Sequence, residues 1–129
     1  MQKLLTEKDE SGFTLVELVV VIGILALLMA IAIPIYLNQR KEAWKDAVRE
    51  DITKSVVVVE RTKSLNGDYQ NFAGPPPGAS VSPGVSLKVS VLPATSGNTA
   101  CVEAYHTASP TDTLFHYNIA QRQLLSGGC

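Results

Sequence analysis

Apolar residues are distributed very unevenly along this chain. From Phe13 to Leu37 it reads FTLVELVVVIGILALLMAIAIPIYL, with one charge, Glu17, and one proline, Pro34. As a helix, these 25 residues would extend roughly 37 Å at about 1.5 Å each, enough to cross a hydrocarbon core of about 30 Å. No polar residue interrupts Leu18 to Ile33. The core helix of a soluble domain would show a polar face, so the pattern predicts a membrane-spanning helix over 13–37.

From Asn38 the pattern changes while the helical period persists. Trp44, Val48, Ile52, Val56 and Val59 recur every three or four residues and predict one apolar stripe on a helix over 38–66. Between them stand Arg40, Lys41, Glu42, Lys45, Asp46, Arg49, Glu50, Asp51 and Lys54, which read as a solvated face. Asp46 with Arg49 and Glu50 with Lys54 have favourable helical spacing. A sharper reading makes Arg40, Lys41 and Lys45 an anchor at a membrane surface or a DNA contact; the interleaved acids count against DNA. Val56–Val59 is a β-branched run that forms helix poorly, yet the stripe can hold it. Lys63 followed by Asn66-Gly67 predicts the helix end. The two helical stretches together would form one helix near 80 Å long.

Residues 67–84 form a connecting segment, with Gly74-Pro75-Pro76-Pro77-Gly78 and Pro83-Gly84. They predict turns and extended chain, and a stiff surface loop rather than a polyproline ligand. The period then becomes two. Val85, Leu87, Val89 and Val91 alternate with Ser86, Lys88 and Ser90 as a half-buried strand. Thr95-Ser96-Gly97-Asn98 signals a turn, Ala100–Thr107 a second strand, Ser109-Pro110-Thr111-Asp112 another turn, and Leu114–Ile119 a third strand. Short turns favour an antiparallel meander whose apolar face covers the Trp44–Val59 stripe. The fold class is therefore α+β, a long N-terminal helix on a small antiparallel sheet, with 85–129 as sheet and tail.

Composition adds two constraints. The formal net charge is -1, unlike the basic balance of a dedicated nucleic-acid binder. The only cysteines are Cys101 and Cys129, too widely separated for a metal knuckle, so one intrachain disulfide is the expected pairing if the domain lies outside the cytosol. It would hold the tail Gln121–Cys129, closing a loop worth roughly 3–4 kcal/mol in the chain-entropy model.

Before the apolar run stands the polar leader MQKLLTEKDESG, residues 1–12. Ala30-Ile31-Ala32 could serve an ordinary signal peptidase, but the run is long for a signal and carries Glu17. Glu10-Ser11-Gly12-Phe13-Thr14-Leu15-Val16-Glu17 instead resembles the class III signal of type IV pilins and pseudopilins. The leader's acidic residues offset its lysines, whereas family leaders are usually net basic. The resemblance implies cleavage between Gly12 and Phe13 by a prepilin peptidase, N-methylation of Phe13, and an assembly role for Glu17. It further implies that Pro34, with Gly23 as a second weak point, marks where the helix yields inside a filament. Asn66-Gly67-Asp68-Tyr69 is similar to the Gly-x-Tyr stretch after a pilin's long helix. Ile35–Lys41, Cys101–His106 and Gly127-Gly128-Cys129 are similar to pieces of actinobacterial type IV pilins.

Physical reasoning runs parallel to the resemblance. A carboxylate in hydrocarbon is costly and seeks a partner. Cleavage after Gly12 would create one, the Phe13 amine, about one helical turn from Glu17. An inter-subunit pair would favour one axial stagger, because another leaves both charges unpaired.

Catalytic chemistry is not indicated. His106, His116 and Glu103 could be imagined as metal ligands, but Glu103 and His106, three apart in a strand, face opposite ways. There is no nucleophile motif, phosphate loop or N-glycosylation sequon, and no cofactor or metal is expected. The resulting expectation is a structural pilin subunit. It would sit in the cell membrane with its C-terminal domain outside until an assembly platform and its ATPases extract it into a homo-oligomeric surface filament. Alternatives are a pseudopilin of a type II secretion or DNA-uptake system, and a single-pass membrane-anchored extracellular binding module.

Overall fold

A computed structural model of the chain describes residues 12–92 and 99–129. The leader residues 1–11 and the turn expected at Thr95–Asn98 lie outside the described residues. The fold has one helix, α1 (Leu15–Asn66), and four strands: β1 (Val85–Leu92), β2 (Thr99–His106), β3 (Phe115–Asn118) and β4 (Gln123–Ser126). Two compact units divide it, one ending at Leu37 and the other running from Asn38 to Cys129.

In the first unit, α1 is continuous through Pro34. Proline has no N–H to offer the carbonyl of Ala30, so the turn is held by its neighbours. Every residue from Gly12 to Leu37 is exposed. This stretch contains a helix long and apolar enough to cross a membrane.

In the second unit, α1 buries its stripe. Val48, Ile52, Val56 and Val59 form one core cluster with Leu87, Val89, Ala100, Val102, Ala104, Phe115 and Ile119. Trp44 closes the stripe at the margin, half-buried and stacked on His106 with ring centroids 4.7 Å apart. Asp46 and Arg49 lie 3.4 Å apart and Glu50 and Lys54 2.6 Å, as their helical spacing predicts. The helix ends where Gly67 turns left-handed, φ 87, and its N–H donates to the carbonyl of Lys63 at 2.7 Å. Only glycine enters that region without side-chain strain.

The sheet is an antiparallel meander in the order β1-β2-β3-β4. Its register aligns Leu87 with Ala104 and Ala104 with Phe115, then Val89 with Val102, stacking the inward positions over the helix. A further strand was not foreseen: β4 pairs with β3 inside what the sequence presents as a tail. Its residues do not alternate and all four are exposed, so no period marks it. Its turn is built by Asn118, whose Oδ1 accepts the amides of Ala120 and Gln121, and by Arg122 at φ 52.

One further expectation needs correction and another sharpening. The proline-rich segment is a surface loop with most of its residues exposed, yet it is pinned. Pro76 is fully buried, Phe72 and Val89 exchange backbone hydrogen bonds at 2.9 and 2.8 Å, and Asn71 Oδ1 accepts the Val91 amide at 2.6 Å. Asp51 does not belong to the solvated face. It is 1% exposed, and its carboxylate accepts from the Ser82 amide at 2.7 Å and the Ser82 hydroxyl at 3.2 Å. It stands outside the apolar stripe, its charge argued for water, and its distant partner was invisible.

Cys101, on β2, is bonded to Cys129. The tail is held again where the Cys129 amide donates to Glu103 Oε2 at 2.8 Å, while Lys88 approaches Glu103 Oε1 at 3.1 Å.

Candidate functional site

The residues picked out by the sequence fall into two separate groups. Gly12, Phe13, Glu17, Gly23 and Pro34 belong to the first unit, and Cys101 and Cys129 to the second. Glu103 and His106 are not brought together: Glu103 holds the tail and His106 stacks on Trp44. His116 Nδ1 lies 2.9 Å from the Gly127 carbonyl. Among the described residues no cluster of three or more His, Cys, Asp or Glu could hold a metal.

The start of α1 has a defined geometry. Gly12, Phe13 and Thr14 are non-helical, and the helix begins at Leu15. Thr14 is the cap. Its Oγ1 accepts the amide of Glu17 at 3.2 Å, and the Thr14 amide donates to Glu17 Oε2 at 2.9 Å. The Thr14 hydroxyl also donates to that carboxylate at 2.8 Å. This is a reciprocal capping box, in which Thr-x-x-Glu satisfies two backbone donors that the first helical turn leaves without partners.

The cap has two chemical consequences. It sets the first helical residue at Leu15, so the Gly12–Phe13 peptide stays outside the hydrogen-bonded ladder. An exposed, unladdered peptide is what a protease can engage. The cap also turns the Glu17 carboxylate back toward the helix N-terminus, where the helix dipole favours negative charge. The sequence reading weighed Glu17 only as a partner for a charge. The Thr-x-x-Glu spacing was present all along and would have revealed the cap.

Around Gly12, space is open: an added Cβ would meet nothing within 4 Å, and Phe13 is 91% exposed. Gly23 likewise has nothing within 4 Å of an added Cβ. Packing among the described residues explains neither glycine.

Comparison with known proteins bears on the same stretch. Residues 8–33 match the family described as the prokaryotic N-terminal methylation motif. A "Fimbrial protein" of Neisseria meningitidis serogroup B (strain ATCC BAA-335 / MC58) is 32% identical over 77 residues, 60% of this chain and 41% of that protein. "Prepilin peptidase-dependent protein D" of Escherichia coli (strain K12) is 56% identical over 41 residues, 31% of this chain and 28% of that protein. The chain thus spans less than half the length of each curated relative. No solved structure matches it. Residues 8–33 carry the pattern of a prokaryotic N-terminal methylation motif, and the long N-terminal helix, whose second half lies on an antiparallel sheet, is a type IV pilin-like layout.

Proposed function

We propose that the chain is a structural subunit of a type IV pilus. It is made as a membrane-inserted precursor, cleaved by a prepilin peptidase after Gly12, methylated at Phe13, and polymerised through the apolar half of α1. The single observation that carries this reading is the capped helix start. Thr14 and Glu17 hold Gly12–Phe13 outside a helix whose side chains to Leu37 are apolar, save Glu17, and bury nothing.

Such a surface needs another partner. In lipid it is already solvated, and in a filament it is covered by sister helices. Moving from one to the other keeps the apolar residues away from water at both stages. Cleavage frees an amine at Phe13, four residues before Glu17. The carboxylate, already turned to that end of the helix, exchanges part of its contact with Thr14 for the new charge, on its own chain or on a neighbour. Pro34 supplies the turn with a missing hydrogen bond, where the helix yields on packing. Chemistry is done on this chain by its processing enzyme, and the outer domain is the surface of the filament.

Replacing Glu17 tests the assembly role. Glu17→Ala keeps the half of the cap in which Thr14 Oγ1 accepts the residue-17 amide, so insertion and cleavage persist, and it lowers sheared surface filament at least about tenfold, because the Phe13 amine is left without its partner in an apolar bundle. Normal filament yield from this variant would remove Glu17 from assembly. Surface filaments that persist after deletion of the gene would point to a pseudopilin or an anchored binding module.

A further inference from the structure

We propose that Asn38, Lys41 and Lys45 form a site for the phosphate of an anionic lipid headgroup, occupied while the chain is held in the membrane. The proposal rests on the membrane-inserted reading above and adds a ligand that the pilus assignment does not require.

These three residues fall at i, i+3 and i+7, on one face of α1. With Glu42 and Asp112 they line a polar cleft of about 360 Å³, within the roughly 300–1,000 Å³ range of small-molecule sites. Its position along the helix suits a headgroup. Lys41 comes four residues after Leu37, roughly 6 Å of helical rise. The headgroup zone occupies about 5–8 Å beyond the hydrocarbon on each side. Lys45 stands two turns on, but helical side chains lean toward the N-terminus, here toward the end of the apolar run. Arg40 adds a third cation beside the cleft, its guanidinium 4.9 Å from the Trp44 ring centre, and Trp44 is itself held by His106. Trp44 stands between Lys41 and Lys45 in the chain, and tryptophan is enriched at membrane interfaces.

The present partners of the lysines are exchangeable. Lys45 lies 2.7 Å from Glu42 and Lys41 3.5 Å from Asp112, and all four side chains are at least partly exposed. Exposed pairs of this kind contribute little. Among the described residues, Lys41 alone of the ion-paired residues of α1 reaches a partner far away in sequence. Asp112 does not depend on it. The Ser109 hydroxyl donates to the Asp112 carboxylate at 2.9 Å and, ahead of the Lys41 charge, holds its pKa below the usual range. A phosphate can therefore draw Lys41 away without orphaning a buried charge. The same arrangement makes Asp112 a competitor: as the phosphate enters, this carboxylate repels it.

The opposed roles of lysine and aspartate give the test. The full chain is reconstituted in nanodiscs of mixed phosphatidylglycerol and phosphatidylcholine and re-solubilised, and the lipids that co-purify are quantified by mass spectrometry. Phosphatidylglycerol is expected to be enriched over phosphatidylcholine. Lys41→Gln with Lys45→Gln lowers the enrichment by about fivefold or more, and Asp112→Asn raises it. Equal retention of both lipids, or unchanged enrichment in the lysine variant, overturns the proposal. So does loss of the enrichment on adding millimolar inorganic phosphate at constant ionic strength, which would make the cleft a general anion site. A chain that alkaline carbonate washes off the membrane overturns the membrane-inserted reading as well. A chain that stays inserted without lipid preference overturns this proposal alone.

Discussion

The two halves of α1 share one backbone and differ in everything their side chains do. From Gly12 to Leu37 every residue is exposed, and among the described residues only Thr14 and Glu17 there use their side chains in hydrogen bonds. After Asn38 the same helix buries Val48, Ile52, Val56 and Val59 under a sheet and receives Ser82 on Asp51. The second half completes its fold within the chain. The first has only its backbone ladder and its cap, and in the proposed reading its cover comes from lipid or from sister helices. Changes in the second unit should therefore cost stability, and changes in the first should cost processing or assembly.

The largest stability effect should come from the disulfide. Cys129→Ser opens a link spanning 28 residues, and the second unit should lose roughly 3–4 kcal/mol. Denaturant unfolding of the full chain in detergent micelles would report this, with the helicity of residues 15–37 unchanged. A smaller loss is expected at Asp51. Asp51→Ala leaves the partly buried Ser82 amide without its acceptor and should cost about 1–2 kcal/mol. Asp51→Asn keeps one acceptor and should recover part of it. If Asp51→Ala were neutral in the same unfolding experiment, the loop would not be pinned there. The smallest effect belongs to the first unit. Thr14→Ala removes a cap worth about 1 kcal/mol, so amide exchange at Glu17 should speed about fivefold while Thr14→Ser behaves as the parent. Exchange that spreads beyond Leu37 would dissolve the distinction between the two halves.

Much of this arrangement was legible in the residues. A stripe repeating every three to four residues and strands alternating by two are periodic signals, and they marked α1, β1, β2 and β3. The N-terminal methylation motif was legible because it is local and continuous. Features that depend on distant partners were not. Asp51 finds Ser82 31 residues away, and nothing in a charged helical position announces a buried acceptor. β4 is four exposed residues recruited by the edge of β3, with no period of its own. Pro76 is buried only because the loop folds back on the second unit. The cap at Thr14 differs from these, since its spacing is local; it was obscured by treating Glu17 purely as a charge.

In the proposed function the Gly12–Phe13 bond, held outside the helix by Thr14 and Glu17, is where a filament subunit is processed. Intact-mass and N-terminal fragment analysis of filaments sheared from cells is the direct check. The expected result is a chain beginning at Phe13 and carrying one N-methyl group, with the leader absent. A chain that begins after Ala32, or that retains the leader through Gly12 in assembled filaments, would contradict it.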